Sequence, residues 1–241
     1  MSKVLKIINL VLIFSLIFTT LSLAKENSLE DISKSIRQNI NILNQDLSAK
    51  QNLQLRIEIL KQTLELSSIQ TSQIKQRLEK LDNLNQQELK YCRELNQQFS
   101  EFLNFYQQQI QSLNNLASIK QVREKANFIK QWRNQIYLPE FKQAINFLFL
   151  IKAKSIISMA ENRNFKIKQY LNKIHLKKTK ELKHLLLQVD SHLAKAKQVM
   201  KKAEQAFWNK TPNASIKNLI IESIKKVSLV YKIFYQIIKK T

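Results

Sequence analysis

The sequence predicts an all-α protein, an elongated antiparallel helical bundle with coiled-coil-like heptad helices. Three observations on the 241 residues carry that prediction. The chain has no glycine and two prolines, its apolar residues recur every three or four positions, and Gln, Asn, Lys and Glu fill most positions between them. A chain of this length carries roughly 17 glycines at average usage. Without glycine the chain lacks the residue that most readily takes φ > 0 in hairpin turns, bulges and phosphate-cradling loops. Sandwiches, barrels, dinucleotide-binding folds and P-loops are therefore disfavoured.

The elements follow in chain order. Lys3 and Lys6 precede an uncharged apolar run from Ile7 to Leu23, which ends in Ser22-Leu23-Ala24. A basic start, an apolar middle and small residues before a cut site make a secretory leader over 1–24. An uncleaved anchor is the alternative, since the run from Ile7 to Ala24 could just span a bilayer. The reading is export, to a periplasmic or secreted location after cleavage near Ala24. Beyond Ala24 the longest uncharged apolar stretch, near Gln143 to Ile151, is too short to span. The single cysteine, Cys92, cannot close an internal disulfide; beside Tyr91 near a heptad seam it reads as a buried apolar residue, with a link between two copies as the alternative.

From Leu29 the apolar positions are Leu29, Ile32, Ile36, Ile40, Leu43 and Leu47, and a second series runs Leu53, Ile57, Leu60 and Leu64. Leu95, Phe99, Phe102, Tyr106, Ile110 and Leu113 continue the theme. Each series is one stripe on one helix. Ser67-Ser68, Asp82-Asn83 and Asn114-Asn115 offer capping and turn side chains. Helices are expected near 28–66, 70–113 and 118–137. Pro139 is the first firm break, because proline suits a first helical turn. A helix over about 139–160 follows, apolar on more than one face and hence central. Asn162 to Asn164 should end it, and one long helix should run over about 165–208. Thr211 and Pro212 open the last helix, whose stripe is Ile216, Ile220, Ser223, Val227, Val230, Phe234 and Ile237. The expected domains are thus a near-neutral heptad region over 25–138 and a strongly basic helical region over 139–241 packing on it. One short likeness stands out. The Phe207-Trp208 pair followed by Pro212, after a long helical region, resembles the end of the periplasmic arms in large MscS-type mechanosensitive channels. That resemblance implies a following transmembrane helix. The helix that follows here carries Lys217, Glu222, Lys225, Lys226 and Lys232 and departs from that pattern.

Charge separates the two halves. Residues 1–120 hold 14 Lys plus Arg and 11 Asp plus Glu, whereas residues 121–241 hold 26 and 7. Only seven of the 40 basic residues are arginine. Lysine is a hydrated point charge and lacks the bidentate fork of arginine. The balance favours diffuse attraction to an anionic surface over sequence-specific reading of nucleic acid. On the long helix expected over 165–208, Lys166, Lys173, Lys177, Lys180, His184, Ser191, Lys195 and Lys202 share one face away from the apolar stripe. They form the candidate face for an anionic partner, with anionic lipid, a glycan surface or an acidic protein as occupants. The competing explanation is a solvated face in a Lys-rich, Asn-rich chain. Lys217, Lys225, Lys226, Lys232, Lys239 and Lys240 put a polar, basic side on the last helix, the pattern of an interfacial helix.

Groups for catalysis are sparse. His175, His184 and His192 make no i, i+4 pair, and no second cysteine accompanies them, so no metal site or cofactor is expected. The expected function is an exported, non-enzymatic interaction or scaffold protein. It would associate with a protein partner or itself through its stripes and present lysines to an anionic surface. The alternatives are a periplasmic holdase-type chaperone and a membrane-surface binder acting through the last helix.

Overall fold

The computed structural model describes residues 23–43, 45, 47–173 and 180–239, and of residues 23–28 the backbone alone. The leader expected over 1–24 lies outside the described residues except for Leu23 and Ala24, which open the first helix. Among the described residues the regular structure is helical, with no strand. The fold is all-α, a helical bundle.

The chain divides into two compact units between Pro139 and Glu140. In the first unit, α1 (Leu23–Ile42) and α2 (Ala49–Glu79) form an antiparallel hairpin. Gln62 ties them by donating to Ser35 Oγ at 3.1 Å and accepting from Asn39 at 3.2 Å. Ser48 caps α2 reciprocally: its hydroxyl accepts from the Gln51 N–H, and the Gln51 side chain accepts from the Ser48 N–H. This S-x-x-Q box marks a break that the expected 28–66 helix ran through. The expected break at Ser67-Ser68 does not occur. Ser67 Oγ donates to Thr63 O at 2.9 Å and Thr71 Oγ1 to Ser67 O at 2.7 Å, so hydroxyls that could have formed a turn bond back into α2.

Next come α3 (Gln86–Ser112) and α4 (Ile119–Trp132). Asn83 turns the chain at φ 55, and Asn85 with Glu88 forms a second capping box, so the 70–113 helix is two helices. A short 3₁₀ turn over Leu113–Asn115 and an N-cap at Ser118 separate α3 from α4 at the expected Asn114-Asn115 signal. The unit's core holds Leu64, Ile74, Leu78, Leu95, Phe99, Phe102, Tyr106, Leu113 and Tyr137. Cys92 is buried as expected, its Sγ 3.4 Å from Leu78 O, and burial raises its thiol pKa.

Pro139 does not break the helix. The path is unbroken from Ile119 to Lys173, through a π-helical segment over Arg133–Tyr137 and then α5 (Leu138–Lys173). The Leu138 N–H bonds to Arg133 O, five residues back. Proline has no N–H and its ring crowds the carbonyl four residues earlier. A wider turn just before it absorbs one extra residue and lets the helix continue.

The second unit is α5 from Glu140 onward, α6 (Lys180–Trp208) and α7 (Asn213–Lys239). Asn162 to Asn164 lie inside α5, and the long helix expected over 165–208 is instead two helices on either side of residues 174–179. Asn164 stays helical because its amide donates to Asp190 at 2.8 Å on α6. Side-chain pairs set the register. Phe147 meets Phe207 with ring centroids 5.8 Å apart, Lys154 meets Glu204, and Lys168 meets Asp190, so α5 and α6 are antiparallel. Ser223 Oγ donates to Ala196 O at 2.9 Å between α6 and α7. Asn146 with Asn213 and Arg163 with Tyr231 align α5 parallel to α7. Ala144, Phe147, Leu150, Val189, Ala196, Ala203, Val230 and Ile237 lie at the centre. The run Ile119–Lys173 contains an 18-residue window of mean hydropathy 1.2, apolar enough in composition to cross a membrane, a length the Gln143–Ile151 reading did not find. Of that window 44% is buried inside the protein, so the central position expected for this helix is not shown.

Candidate anionic-partner interface

The second unit carries the charge. Residues 140–241 hold 22 Lys plus Arg and six Asp plus Glu. Three of the six acids are bound across the α5–α6 interface: Glu204 to Lys154 at 2.8 Å, Asp190 to Lys168 at 2.6 Å and Glu161 to Lys197 at 2.8 Å. These pairs are partly exposed and each contributes at most about 1 kcal/mol. Their larger effect is on the field, because acids spent between helices do not neutralise the outer surface.

The candidate lysines divide between two helices, which corrects the single face expected of one long helix. Lys166 and Lys173 are exposed on α5, while Lys180, His184, Ser191, Lys195 and Lys202 are exposed on α6. Lys177 lies outside the described residues. On α6 the face survives intact, opposite the buried Leu182, Leu185, Val189, Leu193, Ala196 and Met200. Among the described residues none of Lys166, Lys173, Lys180, Lys195 and Lys202 forms an ion pair. His184 is exposed with its Nε2 3.0 Å from Gln188 Nε2. His192 is half-buried beside Lys195 and Lys226. Burial first, then those two charges, pushes its pKa below the usual imidazole value.

On α7, Lys217, Lys225, Lys232 and Lys239 are exposed, Lys226 is half-buried, and Lys240 lies outside the described residues. The Lys239 ammonium sits 4.8 Å from the Tyr235 ring centroid. The apolar stripe of α7 is in use: Ile216, Ile220, Val227, Val230, Ile233, Phe234 and Ile237 are buried in the unit. An interfacial helix that laid this stripe on a bilayer would have to leave the bundle.

Side chains able to bind a metal do not converge among the described residues, where no group of three or more His, Cys, Asp or Glu forms a cluster. A shallow groove lined by Gln86, Leu89, Lys90, Arg93, Glu94 and Gln97 runs along α3 alone. The most polar interior lies in the first unit, where Trp132 stacks on Phe105 at 3.7 Å and meets Tyr106 edge-on at 5.5 Å. Thr71 and Tyr137 hydroxyls are 3.1 Å apart. The single Thr71 proton goes to Ser67 O, so Tyr137 is the donor. The Tyr106 hydroxyl has no partner in hydrogen-bonding geometry, though the Ser67 and Thr71 hydroxyls lie close enough to oppose part of the desolvation. Burial raises the pKa of both tyrosines.

Comparison with family models, curated proteins and solved structures finds no match. The Phe207-Trp208 likeness to channel arms therefore stands on no wider similarity. In this fold Phe207 is a core residue and Trp208 meets it edge-on at 5.0 Å at the end of α6. The lysine spacing was readable in the sequence. The pairing of acids with lysines 22, 36 and 50 residues away was not, because it depends on the antiparallel register.

Proposed function

We propose that this chain is an exported, non-enzymatic interaction protein whose basic second unit docks on an anionic partner. The observation that supports it most strongly is the exposed lysine face of α6, free of ion pairs among the described residues, beside acids already bound between α5 and α6. A surface of one sign raises the local concentration of an opposite partner and speeds encounter. The leader-like start, with Lys3, Lys6 and the Ile7–Leu23 run, supports action outside the cytoplasm. The test is retention of the chain from Lys25 on immobilised heparin and on lipopolysaccharide. Retention should be released by salt, and Lys180→Gln, Lys195→Gln and Lys202→Gln together should elute earlier. Passage of the unaltered chain through both matrices at low salt would refute the reading.

A further inference from the structure

The first helix carries a wider uncharged face than its contact with α2 uses. Written as heptads, Leu29, Ile36 and, just past the helix end, Leu43 stand at a, with Ile32 and Asn39 at d. The flanking e and g positions hold Ser33, Ile40, Ser35 and Ile42, where a simple two-helix seam often carries Glu and Lys. The charges of this stretch, Glu30, Asp31, Lys34 and Arg37, fall at b, c and f. A strict a and d stripe suits a helix with one neighbour, whereas a face widened through e and g suits a helix set between two. One neighbour is α2, on which α1 packs, and the contact runs along one edge of the face. There Gln62 of α2 bonds Ser35 at 3.1 Å and Asn39 at 3.2 Å. At 3.6 residues per turn, Leu29, Ser33, Ile36 and Ile40 lie within about 60° of one another and roughly 110° round the helix from Ser35 and Asn39. That stripe is only partly covered. Leu29, Ser33 and Ile36 are half-buried, Ile40 is 46% exposed, and no described side chain of α1 is buried.

We infer that the second neighbour is a second copy of this chain, with the Leu29, Ser33, Ile36 and Ile40 stripes of two α1 helices facing each other across a two-fold axis. Such a contact is isologous, so each α1 gains its missing neighbour from the same patch on the other copy. Charge points to a second copy as the occupant. The hairpin residues 29–66 hold five Lys plus Arg and five Asp plus Glu, within a chain of net charge +22. Two copies meeting here bring no like charge to the contact, as they would at the basic second unit. An acidic partner would find no lysine or arginine on the stripe to pair with, and a basic partner no carboxylate. The inference is independent of the anionic docking proposed above, which uses α6.

The test is the mass in solution of the chain from Lys25, which keeps α1 apart from two residues, by sedimentation equilibrium from about 1 μM to about 100 μM. A dimer should form within that range. Raising NaCl from about 0.1 M to about 1 M should leave it as tight or tighter, because salt screens the repulsion between two basic chains, the opposite sign to polyanion docking. Ser33→Glu with Ile40→Glu sets carboxylates against each other at the contact and should weaken dimerisation at least about tenfold. Gln38→Glu with Asn41→Glu makes the same change in charge on the exposed c and f positions and should leave the dimer intact. Ile40→Ser alone, a milder change at a side chain 46% exposed, should weaken the dimer in the same direction without loss of helix by far-ultraviolet circular dichroism. A chain that is monomeric throughout overturns the inference and leaves this face to a different protein. A dimer that the stripe variants leave intact, or that both pairs of glutamates weaken equally, overturns it too.

Discussion

Lys210 occupies the left-handed region at φ 54, in a chain that has no glycine to put there. Thr211 N–H bonds to Ala206 O and Lys210 N–H to Phe207 O, so the end of α6 is a Schellman cap with lysine in the place glycine usually takes. A Cβ at that position costs roughly 1–2 kcal/mol, partly offset by the greater freedom glycine has when unfolded. Lys210→Gly should stabilise the second unit by about 0.5–1 kcal/mol, read as a higher thermal midpoint. Asn83→Gly, at φ 55, should gain less, since asparagine tolerates this region better. Tyr106 makes a second residue-scale case. Its unpartnered buried hydroxyl costs stability, so Tyr106→Phe should be neutral or stabilising by about 1 kcal/mol, whereas Tyr137→Phe removes a hydrogen bond to Thr71 and should cost about 1 kcal/mol. Both phenols have raised pKa values in the fold. Their contribution is complete below pH ~10, where an unfolded tyrosine is still protonated, and is lost as pH rises above it. Thermal midpoints measured from about pH 8 to about pH 11 should fall above pH ~10, and less steeply in Tyr106→Phe.

At the scale of the element, caps do the work that glycine and proline do in other chains. Asn85 and Glu88 satisfy each other's end of α3 through a reciprocal pair of 2.9 Å hydrogen bonds. Asn85→Ala should cost about 1 kcal/mol in chemical denaturation, with little change in the denaturant slope. The apolar stripes were legible from spacing, and so were the break at Asn114-Asn115 and the start of the last helix near Pro212. The breaks were harder to read where a short polar side chain has two uses. Ser67 and Thr71 bond back into α2, whereas Ser48 caps it, and a glutamine stands three residues on from Ser48 and from Ser67 alike, so local spacing does not separate the two uses. Pro139 misled for another reason: a π-helical turn absorbs it, and such a turn depends on the packing of Trp132 and Tyr137, which no local spacing reveals. Between Lys173, where α5 ends, and Lys180, where α6 begins, the sequence has neither glycine nor proline.

At the scale of the whole molecule, the chain puts its charge imbalance into one of its two units and its polar, aromatic interior into the other. The first unit, with 18 Lys plus Arg against 12 Asp plus Glu, carries the smaller excess and holds the tyrosine–threonine cluster. The second uses three of its acids to hold α5 to α6, which leaves Lys180, Lys195 and Lys202 of α6 facing solvent without ion pairs among the described residues. Composition made the imbalance visible; only the register of three helices shows which lysines are compensated and which are not. The central claim is that this uncompensated charge drives docking. Its most direct test is the dependence of polyanion affinity on NaCl concentration for the chain from Lys25, with and without Lys180→Gln, Lys195→Gln and Lys202→Gln. The account predicts a steep log–log decline that becomes shallower by up to about three counterions in the triple variant. An affinity that does not change with salt, or a slope the three substitutions leave untouched, would contradict it.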